Sequence, residues 1–212
     1  MKLPRTIQAL LVTSLACCLA PATFAAKDGP AKIPKARYSK GVYTAFDGKY
    51  TVKVPPMLEP GGHNEEQRTA ERSGVFFADD MGKAFFVLVT DNRKTAVTLD
   101  SIATEFTVGG DLKEKEFVET PRGRELRVAG IRRGESPIAS QTKKDGKTVE
   151  TQLDLVQATS LFLHGGDVFM VGAGVTILKD AHRTEGELIA EAKTRLNDAL
   201  ESMVIKGLEA GK

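Results

Sequence analysis

The feature that most constrains this chain is the unit over residues 150–205: a long alternating strand, a two-glycine turn, a return strand and a capped helix. From Gln152 to Leu163, Leu153, Leu155, Thr159, Leu161 and Leu163 fall on one parity. Val156, Ala158 and Phe162 share the other with Gln152, Asp154 and Ser160. Period-2 alternation of this length predicts a strand with its more apolar face toward a core. His164-Gly165-Gly166-Asp167 follows, and tight hairpin turns need the positive φ that glycine adopts at no steric cost. In the return strand, Phe169, Val171, Val175 and Ile177 share one parity, with Met170, Gly172 and Gly174 on the other. Two glycines on one face leave a bare surface, which the following helix is expected to cover.

That helix is announced by Thr184-Glu185-Gly186-Glu187, a capping box in which the threonine hydroxyl and the glutamate three residues later satisfy each other's backbone amides. Ile189, Ala192, Leu196, Ala199, Leu200 and Met203 then recur at helical spacing. Glu191 and Arg195 are placed for an i,i+4 pair, and Gly207 is the expected stop.

The N-terminus carries a targeting signal. Lys2 and Arg5 precede an apolar run from Ala9 to Ala20, and Thr23-Phe24-Ala25 offers small residues at −3 and −1. This is the layout of a secretory signal peptide cleaved between Ala25 and Ala26, and the run is too short to span a bilayer. Export in a bacterium places the mature chain in the periplasm. Cys17 and Cys18 lie inside the signal. They are read either as apolar residues of a discarded leader or as lipidation sites of a membrane-anchored lipoprotein. Cleavage after Ala25 leaves no cysteine, and with it no disulfide or thiol chemistry. It also removes two basic residues and no acid, leaving 28 Lys and Arg against 28 Asp and Glu. A neutral chain has no electrostatic footprint for nucleic acid.

Residues 26–40 are rich in Lys, Pro and Gly and read as a flexible lead. Residues 41–206 follow as a single domain, with 207–212 as a tail. Asp47-Gly48 sits between two apolar runs as a hairpin turn, and 57–69 reads as an exposed loop. Gly74 to Ala78 and Ala84 to Thr90 form a second hairpin, carrying Phe76, Phe77, Phe85 and Phe86. Adjacent phenylalanines in a strand put one ring on each face, so both faces are expected to be covered. Leu99, Ile102, Ala103 and Phe106 are spaced for a short helix, and strands follow over 114–119, 125–132 and the charged hairpin of 136–149. The fold class is therefore α+β: a twisted antiparallel sheet with a short mid-chain helix and a long C-terminal helix packed on it.

The run Tyr50-Thr51-Val52-Lys53-Val54-Pro55, the mid-chain helix, and a closing helix ending on Glu201-Ser202-Met203-Val204-Ile205 resemble the PsbP/Mog1-like α/β/α sandwich superfamily, whose bacterial members include DcrB-like envelope proteins. The chain has no Trp, so the family's Gly-Trp after the first strand is missing. The resemblance implies a sheet with helices on both faces and mostly non-catalytic adaptor or assembly roles. It carries over no functional residue.

No constellation for chemistry stands out. His63, His164 and His182 are scattered, with no two at metal-ligand spacing, so neither a metal nor a cofactor is expected. There is no Gly-x-Ser-x-Gly, and Gly172-Ala173-Gly174 lacks the third glycine of a dinucleotide loop at Ile177. The adjacent Asp79 and Asp80 read as turn residues. Arg122, Arg124, Arg127, Arg132 and Arg133 make one hairpin locally basic, the first place to look for an acidic partner or for anionic lipid headgroups. The leading reading is a non-enzymatic exported envelope protein that binds another envelope protein or supports an assembly. One alternative is a periplasmic carrier of a small apolar ligand held by Phe76, Phe77, Phe85 and Phe86. Another is a hydrolase with dispersed active-site residues.

Overall fold

The computed structural model describes residues 31–32, 37–55, 65–69, 71–93, 96–105, 110–144, 147–178 and 182–208. Its strands are β1 (Ala31–Lys32), β2 (Tyr38–Ser39), β3 (Val42–Thr44), β4 (Tyr50–Lys53), β5 (Glu65–Arg68), β6 (Arg72–Ala78), β7 (Lys83–Asp91), β8 (Gly110–Thr120), β9 (Gly123–Arg132), β10 (Ala139–Lys144), β11 (Lys147–Gln152), β12 (Leu155–His164), β13 (Asp167–Thr176) and β14 (Val204–Ile205). Its helices are α1 (Leu99–Glu105) and α2 (Glu185–Ser202).

Eight strands form one antiparallel sheet in the order β1-β5-β6-β7-β13-β12-β9-β8. The predicted α+β architecture is the observed one. The two-glycine hairpin lies at the centre, with Leu163 opposite Val168 and His164 opposite Asp167. Gly165 and Gly166 turn it with φ of 59° and 83°. Strands β12 and β13 are buried on both faces over most of their length. A small antiparallel sheet, β14-β4-β3-β2, packs beside α2 on one face of the large sheet.

The two faces hold separate cores. On the first, Phe85, Val87, Ala158, Phe162, Phe169 and Val171 meet Ile189, Ala192, Leu196 and Leu200 of α2 and Tyr43, Tyr50 and Val52 of the small sheet. On the second, Phe86, Leu88, Leu126, Val128, Leu161 and Met170 meet Val97, Leu99, Ile102 and Ala103 at α1. Helix α1 starts at Thr98, whose hydroxyl accepts from the Ser101 amide at 3.1 Å. Helix α2 starts at the predicted capping box, with both reciprocal bonds formed.

Several expectations are corrected. Gly172 and Gly174 face α1, not α2. The ring of Phe86, opposite Gly172, covers it, and Leu155 covers Gly174. The parity of Phe169 and Val171 points to α2 and leaves the glycines for the other side. Helix α2 ends at Ser202, not at Gly207, because Val204 and Ile205 leave the helix to pair with Thr51 and Tyr50. Glu191 does not form its ion pair with Arg195: it accepts from Arg183 at 2.7 Å and lies 3.8 Å from Lys83. The end of the stretch read as a loop is a strand, β5, drawn in by Glu66. Within 26–40, β1 pairs with β5 and β2 with β3, while Arg37 binds Glu66 and Tyr38 packs on Phe77. Ala25, Ala26, Cys17 and Cys18 lie outside the described residues.

Candidate functional site

The basic hairpin is the β8–β9 ribbon at one edge of the large sheet. Strand β8 runs eleven residues and has one neighbour among the described residues, β9. Its outer edge therefore carries unpaired backbone donors and acceptors. The side chains from Asp111 to Phe117 are all exposed. A register shift between Leu112 and Glu114 interrupts the ladder, and Gly123, with φ of 105°, makes the turn.

Each of the five arginines has an acidic partner. Glu125 is wholly buried. Its Oε1 accepts from Arg122 Nε at 2.8 Å and Thr120 Oγ1 at 2.9 Å, and its Oε2 from Ser160 Oγ at 2.8 Å and Arg127 at 3.2 Å. The same guanidiniums continue to α2: Arg122 Nη1 donates to the Leu200 carbonyl at 2.9 Å and Arg127 Nη1 to Asn197 at 3.0 Å. The buried Glu125 thus pairs with two half-buried cations that clamp the end of α2 to the sheet, at the cost of desolvating the carboxylate and part of each guanidinium. Arg124 reaches the opposite helix, donating to both oxygens of Asp100 at 3.0 Å while its guanidinium lies 3.8 Å from the ring centre of Phe117. Arg132, 1% exposed, pairs with Glu135. Arg133 bridges Asp154 and Asp111 at 2.7 Å each. Its hydrogen bond and charge, with Lys113 nearby, hold the Asp111 carboxyl below its ordinary pKa. Burial of Asp154 works the other way, but bonds from Arg133 and the Gly134 amide outweigh it, so that carboxyl too titrates low. What the ribbon exposes is a row of paired charges around Phe117, with Arg124 and Arg133 accessible.

The four phenylalanines divide between the cores. Phe77 and Phe85 stack 6.2 Å apart on the α2 side, whereas Phe86 and the half-buried Phe76 lie on the α1 side. They do not line one cavity. A shallow crevice opens instead between α2 and the ribbon, with Ala129, Ala158 and Leu196 among its walls and Glu114 and Lys193 paired at 2.5 Å beside it.

Among the described residues, no hydrogen bond joins His164 or His182 to a serine or carboxylate side chain, and no three metal-ligating side chains converge. His63 lies outside the described residues. Asp79 is buried, its Oδ1 accepting from the Met81 and Lys83 amides, while Asp80 is exposed.

Sequence reasoning missed the other polar centre, Glu66. Arg37 donates to both its oxygens at 2.5 and 2.6 Å, Arg68 donates at 2.8 Å, and the Tyr43 hydroxyl also donates. Arg68 in turn lies 3.4 Å from the ring centre of Phe46. Burial opposes ionisation of Glu66, but these donors outweigh it and its pKa is lowered. Burial, followed by Glu66 itself, pushes the Tyr43 hydroxyl well above its ordinary pKa. In the sequence Glu66 stands in a polar run with no periodicity, so nothing marked it. The open edge of β8 did leave a signal: charges on both parities from Asp111 to Glu119 suit a strand exposed on both faces.

No family model matches the chain, and no curated protein matches it. Solved structures do. The chain resembles cyanobacterial PsbP. That solution structure, of CyanoP from Synechocystis sp. PCC 6803, aligns at 12% identity and a TM-score of 0.45, covering 88% of this chain and 99% of that one. Among the described residues, no helix is long and apolar enough to cross a membrane.

Proposed function

We propose that this chain is a non-enzymatic protein of the bacterial cell envelope, exported by its N-terminal segment, that works by binding protein through the β8–β9 ribbon. The observation that carries this reading is the edge of β8: eleven residues long, without a partner strand on its outer side among the described residues, and carrying the exposed Phe117. Proteins normally keep such an edge short or covered, because any extended chain can add to it. The buried Glu125 network supports the same reading. It fixes the ribbon to α2, and the separate Arg124–Asp100 pair ties it to α1, so β8 is presented on a rigid frame. Arg124 and Arg133 then offer partly exposed cations beside the edge to an acidic partner.

A photo-reactive residue placed at Leu112 or Glu116 in the native host tests this. The reading predicts discrete protein adducts at both positions and none at Asp198, on the exposed side of α2. No adduct at either β8 position, or equal labelling at Asp198, overturns it.

A further inference from the structure

We propose that the occupant of the β8 edge is β8 of a second copy of this chain, paired antiparallel about a two-fold axis that sets Phe117 opposite Phe117. This deepens the protein-binding reading and rests on it, because it names what fills the edge. The two edges of the large sheet differ. The far edge is closed by β1, two residues long, whereas β8 offers eleven. A second copy of β8 is an extended strand of the same kind, of which residues 114–120 pair in the register centred on Phe117, and a self-complementary contact needs no other surface.

Charge and the irregularity at Lys113 together choose the register: an axis on Leu112 would set Asp111 against Lys113, but it pairs only residues 110–114 and runs across the shift between Leu112 and Glu114. A two-fold axis normal to the sheet puts one residue opposite its own copy, and residues equally far to either side then face each other across the seam. Centring the axis on Lys113, Glu114, Lys115 or Glu116 sets identical charges against each other. Centring it on Val118 sets Phe117 against Glu119 and, within β8, brings no opposite charges together. Centring it on Phe117 pairs ring with ring, and Lys115 with Glu119 twice over. On the other face Glu116 meets Val118 and Glu114 meets Thr120, so no like charges stand directly opposed. Opposite-charge and aromatic cross-strand pairs are the units that stabilise a sheet, and like charges directly opposite destabilise it.

The groups this register uses are available. Phe117 is 40% exposed, with the Arg124 guanidinium against its ring. Among the described residues Glu119 makes no ion pair. Lys115 donates one N–H to the Ala103 carbonyl at the end of α1 and keeps two for a partner. The joined sheet would run continuously through both copies, with α1 and α2 of each on its outer faces.

Light scattering of the chain from Ala26 to Lys212, at micromolar concentration, reads the outcome. The proposal predicts twice the monomer mass. Lys115→Glu sets glutamate against Glu119 at both ends and is expected to weaken the dimer by at least about tenfold. Lys115→Glu combined with Glu119→Lys restores the complementarity and is expected to restore the dimer, which damage to the fold would not do. Phe117→Cys supplies a second readout. Directly opposed residues in an antiparallel pair lie within disulfide reach, so oxidation is expected to link the copies, while Lys113→Cys, opposite Pro121 in this register, is expected not to. A wild-type monomer, a dimer that survives Lys115→Glu, or a double variant that stays monomeric overturns the proposal. Photo-adducts at β8 with a different protein, in a chain that is itself monomeric, would overturn the self-pairing and keep the protein-binding reading. No adducts at all would overturn both.

Discussion

The ring of Phe86 on β7 lies against the Cα of Gly172, its cross-strand partner on β13, so closely that a Cβ at 172 would collide with Cε1 and Cζ. The ring is 3% exposed and has nowhere to move. Gly172→Ala is therefore expected to lower the unfolding free energy by about 1–3 kcal/mol, the usual cost of overpacking a filled core, measured by denaturant titration. An unchanged midpoint would mean that this face of the sheet is looser than the structure has it.

The start of α2 makes a paired prediction. Thr184 accepts from the Glu187 amide at 3.3 Å, and removing that cap in Thr184→Ala is expected to cost about 1 kcal/mol. Gly186, in the first turn, has negative φ and nothing nearer to its missing Cβ than Thr184 Oγ1 at 4.0 Å. Gly186→Ala is expected to stabilise by about 0.5–1 kcal/mol. Thermal melts of the two variants should move in opposite directions.

The Glu66 cluster sets part of the acid limb of stability. Its folded pKa lies below the ordinary value of 4.5. Its contribution is thus fully present above that value and is lost as pH falls through the lower folded one. Glu66→Gln keeps the shape and removes the charge that binds Arg37 and Arg68. It is expected to cost about 3 kcal/mol at neutral pH, and to flatten the loss of stability below pH 4.5. Denaturation midpoints between pH 3 and 7, roughly the span of carboxylate titration, check this. A variant whose acid limb matches the wild type would place that limb elsewhere.

Glu125 tests the clamp on α2. Glu125→Ala leaves Arg122 and Arg127 facing each other over the end of the helix with no buried anion, a loss expected to reach about 3–5 kcal/mol. Hydrogen exchange should then speed up first near Asn197 and Leu200, the two points where those arginines hold α2. Uniform acceleration across the sheet would contradict a local clamp.

What the sequence revealed depended on local rules. The central hairpin was legible because two glycines need positive φ and the flanking parities bury opposite sides. The helix was legible because Thr184 and Glu187 satisfy each other within one turn. What decided the rest was contact between distant segments. The face that Gly172 and Gly174 present depends on which parity α2 claims, and nothing in the strand itself ranks Met170 below Val171 for that role. Glu66 is met by Arg37 from 29 residues before it, and Glu125, whose arginines are its neighbours in sequence, is buried where Ser160 and the end of α2 close over all three. The arginine ribbon read as a free basic surface because its acids, Asp100, Asp111, Asp154 and Glu125, come from four different elements or loops. Strand β5 was lost for the same reason: its Glu-Glu-Gln-Arg run is polar, and only partner strands on either side make it extend.

The most direct test of the central claim, that this is an exported protein that binds protein and not a small molecule, is native mass spectrometry of the chain isolated from its own host's envelope. The account predicts a mature mass beginning at Ala26, carried in a protein complex, with no small molecule attached. A chain beginning at Cys17 or Cys18 with acyl groups would replace cleavage at Ala26 with a membrane-anchored lipoprotein. A monomer that retains an apolar small molecule would contradict the account outright and make the protein a carrier.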